Sequence, residues 1–274
     1  MRQPRLLTVA ALTASALACG GDRATGPVDI PFGQTTVVVI ANPFLNTFNQ
    51  GQFPDPGSAR IGITVFAAQG PTALTDASGV AVLGPLASNE ARLSFRGGGT
   101  TGQVTVDMLP MDLKEVAVAL SPSTAAIMTE VAYRFGGQVV EITPAMPVDE
   151  VNAELARSNI IVLLRSGRYD GDLRFTGSNV TLFGEGPRGG AVTLNGNVTV
   201  PGSRNRIRGA RITGSLVVQG SDFGMSFSRV DGSFTLSGSG AVLLLNRLCG
   251  ASQVTGSTPT LLGNQGLAPL VASC

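Results

Sequence analysis

A chain of 274 residues has room for one or two domains with complete cores. It is 43% hydrophobic and only 14% charged, with 36 glycines and no tryptophan, which suits many short strands and tight turns rather than long helices. A net charge of +1 without a basic, aromatic-studded stripe excludes a general attraction to nucleic acid, and the absence of histidine removes Ser-His-Asp and Cys-His nucleophiles together with the commonest metal ligand.

The first predicted element is an address. MRQPR is a basic n-region, LLTVAALTASA an apolar core too short to span a bilayer, and Ala16-Leu17-Ala18 a small-residue cleavage site before Cys19. Residues 1–18 therefore read as a signal peptide; losing Arg2 and Arg5 with it leaves 17 basic against 18 acidic residues. The Ala-Leu-Ala-Cys-Gly stretch resembles a bacterial lipoprotein lipobox, with Ala16 where that family usually has leucine. The resemblance implies lipidation of Cys19, a membrane anchor, and sorting to the outer membrane, since Gly20 rather than aspartate follows the cysteine. Residues 19–33, rich in Gly, Pro and Asp, read as the lipidated tether. With Cys19 taken by lipid, Cys249 and Cys274 remain, either as a disulfide closing the last coils, at about 3 kcal/mol, or as two free thiols.

Residues 34–121 alternate short apolar runs with Gly/Pro/Asn/Asp clusters. Strands are expected at Thr35–Ala41, Arg60–Ala67, Val80–Leu83, Ala91–Arg96, Gln103–Met108 and Glu115–Leu120, with Asn42–Gly57 as a long loop. Six or seven such strands make a small β-sandwich. The run Leu74-Thr75-Asp76-Ala77-Ser78-Gly79 followed by Gly84-Pro85-Leu86 resembles carboxypeptidase-regulatory-like, transthyretin-type domains, which are usually non-catalytic spacers or adhesion units. Residues 122–146 read as a connector holding one strand, Val139–Ile142. A helix is expected from Pro147, with Asp149 and Glu150 in its first turn and Val148, Val151, Leu155 and Ala156 on one face.

From Gly196 the chain repeats. Gly196, Gly214, Gly232 and Gly250 recur every 18 residues, as do Gly202, Gly220, Gly238 and Gly256. Apolar columns run Val198/Leu216/Phe234, Val200/Val218/Leu236/Val254, Ile207/Met225/Leu243/Leu261 and Ile212/Val230/Leu248. A fixed short period with stacked apolar positions is a solenoid, because one coil cannot bury its inner face alone. Val162/Val180/Val198 and Leu164/Leu182/Val200 keep the same step, predicting about six coils over residues 160–268. The pieces Ile160–Leu164, Ser166-Gly167-Arg168-Tyr169 and Asn179–Gly184 resemble the opening coils of pectate-lyase-like right-handed β-helices. The fold class expected is therefore all-β: a small β-sandwich, then, over residues 147–274, a short right-handed parallel β-helix of 18-residue coils with an N-terminal cap helix. A left-handed hexapeptide helix shares the 18-residue coil and is the alternative.

No cofactor or metal site is expected: there is no phosphate loop or dinucleotide fingerprint. Asn246 and Asn264, 18 apart, suit a structural amide ladder. The candidate ligand-binding residues are Arg206, Arg208, Arg211, Arg229 and Arg247, the last three in one column at about 4.8 Å steps. Stacked like charges repel unless acids or a bound anion compensate. The expected role is a non-catalytic cell-envelope display module that contacts acidic polysaccharide or lipopolysaccharide, with no nucleic-acid partner. A polysaccharide lyase or hydrolase is the alternative and requires Asp170, Asp172 and Glu185 to converge near an arginine. A self-assembling envelope protein is the third reading.

Overall fold

The computed structural model describes residues 34–42, 60–68, 70–77, 79–87, 89–134, 138–185, 191–262, 264 and 266. The leader, tether, long loop and Cys274 of the sequence reading lie outside them.

Eight strands build the sandwich: β1 (Thr36–Asn42), β2 (Thr64–Ala67), β3 (Thr72–Leu74), β4 (Val80–Leu83), β5 (Asn89–Gly97), β6 (Thr100–Met108), β7 (Asp112–Leu120) and β8 (Ala125–Arg134). An outer sheet runs β3-β2-β5-β6 and an inner sheet β4-β1-β7-β8, antiparallel except for the parallel β1/β7 pair. Strands β3 and β8 are additions to the sequence reading. The Thr-Asp-x-x-Gly turn has a physical basis: the Thr75 hydroxyl accepts from the Ile63 amide at 2.8 Å and donates to the Arg60 carbonyl at 2.6 Å, Asp76 accepts from the Val80 amide, and Gly79 has φ +74°.

The β-helix begins earlier than the sequence suggests. β9 (Gln138–Ile142) pairs in parallel with β10 (Ile160–Leu164), so the segment read as a connector supplies the last sandwich strand and the first β-helix strand. Between them α1 (Val148–Leu155) buries Val151 and Leu155 in the solenoid core. It caps the first coil through Asn152, whose side chain donates to the Asp172 carbonyl and accepts from the Arg174 amide.

Each following coil contributes three strands. The first holds β10, β11 (Gly167–Asp170) and β12 (Leu173–Arg174); the second β13 (Thr181–Gly184), β14 (Val192–Asn195) and β15 (Val198–Val200). The third holds β16 (Arg206–Arg208), β17 (Arg211–Ile212) and β18 (Leu216–Val218); the fourth β19 (Gly224–Ser226), β20 (Arg229–Val230) and β21 (Phe234–Leu236). The fifth holds β22 (Val242–Leu244), β23 (Arg247–Leu248) and β24 (Ser252–Val254), and β25 (Thr260–Leu262) follows. They stack into a seven-stranded sheet from β9 to β25 and two five-stranded sheets, β11-β14-β17-β20-β23 and β12-β15-β18-β21-β24.

From Gly196 onward the register follows the 18-residue step, with Val198 on Leu216 on Phe234 and Ile207 on Met225 on Leu243. The extension of that step to the opening coils is corrected: Val162 pairs with Leu182, and Leu182 with Ile207, so these coils are 20 and 25 residues long. The longer coil carries its extra residues between β13 and β14.

Close backbone approach explains the glycine columns. A Cβ on Gly220 would stand 1.8 Å from the Gly202 carbonyl oxygen, and one on Gly238 1.9 Å from that of Gly220. At another turn, Asn246 and Asn264 form the amide ladder, accepting from the Ser228 and Asn246 amides and donating to the Met225 and Leu243 carbonyls.

The two modules share a core. The outward residues Ile161, Leu163, Phe183, Phe227, Leu244 and Leu262 pack against Val38, Ile40, Leu113, Val131 and Tyr133 of the inner sandwich sheet. Strand β7 is consequently buried along its whole length.

Candidate functional site

The sheet β11-β14-β17-β20-β23 presents a single outward column. Arg168 lies beside Thr193, then Arg211, Arg229 and Arg247, in parallel register. Parallel pairing at a constant period forces this stacking: once Ile212, Val230 and Leu248 point inward, the preceding residue of each strand must point out. A second row runs beside it. Asp170 pairs with Asn195, whose side chain donates to it at 2.7 Å, and Thr213 donates to the Asn195 Oδ1 at 3.0 Å.

The charge repulsion within the column is met by acids from the second row. Asp231 bridges two neighbours, accepting from Arg211 Nε at 2.7 Å and Arg229 Nε at 2.5 Å. Partial burial pulls its carboxyl upward, but the hydrogen bonds from Arg229 and then Arg211 prevail and hold it below the usual carboxylate range. At the other end Asp170 accepts from Arg168 Nε at 2.8 Å, and Arg168 first and Asn195 second hold it low. The guanidinium planes are thereby oriented while their outer edges remain accessible; Arg211 keeps 48% of its side-chain surface. The result is a polar strip four coil steps long, or about 19 Å, with net positive charge and alternating donors and acceptors.

Two of the five sequence-predicted arginines belong elsewhere. Arg208 is corrected: it is 1% exposed, sealed between the modules, and unable to meet a ligand on an outer face. Its Nε donates to Glu115 Oε1 at 2.7 Å, and its guanidinium carbon stands 5.0 Å from the ring centres of both Phe183 and Phe227. Tyr133 donates to the other Glu115 oxygen at 3.2 Å and shares a 2.6 Å hydrogen bond with Ser226. The hydrophobic runs TVVVIA, EVAVAL, IIVLL and VLLL carried the signal for this interface, since strands apolar on both faces are covered on both. Arg206, two residues earlier, shares the covered side of the solenoid but lies near its edge, in a cleft at the seam.

The acids of the lyase reading do not converge. Asp170 is engaged as above, Asp172 accepts from the Asn197 amide at 2.7 Å, and Glu185 accepts from Arg165 at 2.7 Å and the Ser166 amide at 3.0 Å. The Ser166 amide first, and Arg165 second, hold Glu185 below the usual carboxylate range. Among the described residues no group of three or more His, Cys, Asp or Glu side chains is placed to hold a metal ion. Asp222 occupies a left-handed turn at φ +55° against Gly240. Cys249 is disulfide-bonded.

No protein-family model matches the chain, and no curated protein or solved structure matches it either.

Proposed function

We propose that this chain is an exported, non-catalytic envelope protein that contacts acidic glycan through the arginine column Arg168, Arg211, Arg229 and Arg247. The observation that carries the reading is the in-register alignment of these four arginine positions on one outward sheet face, with Thr193 between Arg168 and Arg211. Guanidinium forks bind carboxylate and phosphate in two-point contacts, and the interleaved Asp170, Asn195 and Thr213 offer partners for sugar hydroxyls. A repeating polymer suits this surface because Arg211, Arg229 and Arg247 recur at every coil step over its second half. The leader, the lipobox resemblance at Cys19 and the likeness to lipoproteins support anchoring at the outer membrane. A disulfide joining Cys249 to Cys274 would suit that oxidising compartment. The likeness to regulatory-like and pectate-lyase-like domains supports a spacer carrying a β-helix.

The test is a gel-shift panel of acidic and neutral polysaccharides with and without calcium. Retarded but intact acidic polymer, with retardation lost in Arg211→Ala/Arg229→Ala and weakened by salt, is the expected result. Shortened polymer would make the chain a lyase or hydrolase and overturn the reading. Incorporation of radiolabelled fatty acid, abolished by Cys19→Ser, tests the anchor.

A further inference from the structure

An open cleft of about 570 Å³ lies where the sandwich meets the β-helix. It sits outside the arginine column and uses different residues. Its sandwich wall is formed by Leu109, Pro110 and Asp112, and its β-helix wall by the turns carrying Asn159, Asn179 and Arg204 and by the outward side of β16 at Arg206. Concave junctions between modules are where small ligands are most often held, and this volume falls in the usual range.

Two arginines stand out chemically. Across the β-helix, Arg157, Arg165, Arg168, Arg208, Arg211 and Arg229 each meet a carboxylate within ion-pair distance. Arg174, Arg204 and Arg206 do not, among the described residues, and of these Arg204 and Arg206 line this one cleft. Arg206 is also held in position. Gly224, its neighbour on the next coil, leaves room for the arginine stem: a Cβ there would stand 3.1 Å from Arg206 Cγ and 3.6 Å from Val131. Arg206 Nη1 donates to the Arg204 carbonyl at 3.2 Å. Asn159, Asn179 and Arg204 share a left-handed turn conformation at φ +59°, +57° and +57°, one per coil, which aligns their side chains along one edge. Asn179 donates to Asn159 Oδ1 at 3.0 Å, leaving the Asn159 amide nitrogen and exposed Arg204 as donors toward the opening. Asp112, 2% exposed, sets one carboxylate in the wall against the two arginines, so the three side chains together carry a net charge of +1.

We propose that this cleft binds a small hydroxylated molecule bearing one compact oxyanion, carboxylate or phosphate, with the anion on Arg206 and Arg204. The amides of Asn159 and Asn179 take hydroxyls, and Leu109 and Pro110 cover the apolar side of the carrier. Positioned, unneutralised guanidiniums in a partly desolvated cleft form stronger anion contacts than the exposed strip on the other sheet.

The test is isothermal titration of the full chain with a hexose phosphate, a hexuronate and the neutral hexose, alongside inorganic phosphate. Saturable binding is expected for at least one of the two acidic sugars, about tenfold tighter than for the neutral hexose, and which one binds identifies the oxyanion. Arg206→Ala is expected to weaken it about tenfold, a charged hydrogen bond's worth of affinity. Arg204→Ala, at an exposed turn where folding is not at stake, is expected to weaken it measurably. Arg211→Ala/Arg229→Ala is expected to leave it unchanged, which separates this site from the polymer strip. No binding of either acidic sugar at millimolar concentration, or binding indifferent to both seam arginines, would overturn the proposal.

Discussion

Glu115 is the residue on which the interior electrostatics turn. It is fully buried, and both of its oxygens are taken, one by Arg208 and one by Tyr133. A buried ion pair contributes little net stability when intact, yet removing one partner leaves an uncompensated charge. Arg208→Met is therefore expected to cost about 3–5 kcal/mol in denaturant unfolding, and Arg208→Met/Glu115→Gln to recover much of that loss. Equal costs for the single and double variants would refute the pairing. The two tyrosines, the only ones in a chain without tryptophan, permit a cleaner reading. Burial pushes the Tyr133 hydroxyl far above its usual value, with Glu115 adding to the effect; burial first pushes Tyr169, bonded to the Ile142 and Arg165 carbonyls, up to about 12. Both keep their protons in the folded state where an unfolded chain would lose them near pH 10. Their contribution to stability is complete below pH 10 and is lost as pH rises toward and past about 12. Tyrosinate absorbance should stay silent through pH 10 in the native protein and appear abruptly on unfolding; an ordinary titration at pH 10 would contradict the burial of both.

At the scale of the strand and turn, glycine sets the geometry. Successive turns at Gly202, Gly220, Gly238 and Gly256 lie so close that each position excludes a Cβ by contact with backbone, which cannot swing aside. Gly238→Ala should cost about 3 kcal/mol or more. Gly99→Ala, at φ +74° with open space around it, should cost about 1 kcal/mol from backbone strain alone. Thermal midpoints of the two variants check the contrast, and similar values would mean the coils can separate without penalty. This constraint is also why the last coils were legible in the sequence: a repeated steric demand prints a repeated residue. The opening coils were not, because they change length from 20 to 25 residues and break the step, although Val162, Val180 and Val198 happen to keep it. There the 18-residue step is a coincidence, since Val180 is a buried residue just ahead of β13 while Val162 pairs with Leu182. Strands β3 and β8 escaped notice because β3 is three residues long and β8 mixes polar with apolar positions. In the candidate site the same logic applies. Arg211, Arg229 and Arg247 were visible as a period, Arg168 was hidden by the longer coil, and Arg208 was misassigned because a burial partner 93 residues away leaves no local mark.

Across the whole molecule, the seam makes two modules into one folding unit. Ile161, Leu163, Phe183, Leu244 and Leu262 on one side and Val38, Ile40, Leu113 and Val131 on the other are at most 6% exposed, a degree of burial found in domain cores rather than in docking contacts. Fully burying such a side chain contributes roughly 1.5–3 kcal/mol, so neither module retains its stability once the other is removed. The tyrosines again provide separate reporters, because Tyr133 belongs to the sandwich and Tyr169 to the first coil of the β-helix. With Tyr169→Phe the remaining tyrosine signal follows the sandwich; with Tyr133→Phe it follows the solenoid. Thermal unfolding recorded in both variants should give one sigmoidal transition each, coincident with the loss of far-ultraviolet circular dichroism in the same sample. Phe183→Ala, which removes seam packing together with one of the two rings against Arg208, should lower the circular-dichroism and tyrosine midpoints together, by an amount corresponding to about 3–5 kcal/mol. Were the tyrosine signal of one module to separate from the circular dichroism, the seam would be a hinge. The cleft between the modules would then open and close with it, and the placement of Arg206 against Val131 would hold in one state alone. A single shared transition instead fixes the distance between the cleft and the arginine column, so that both are presented on one rigid body.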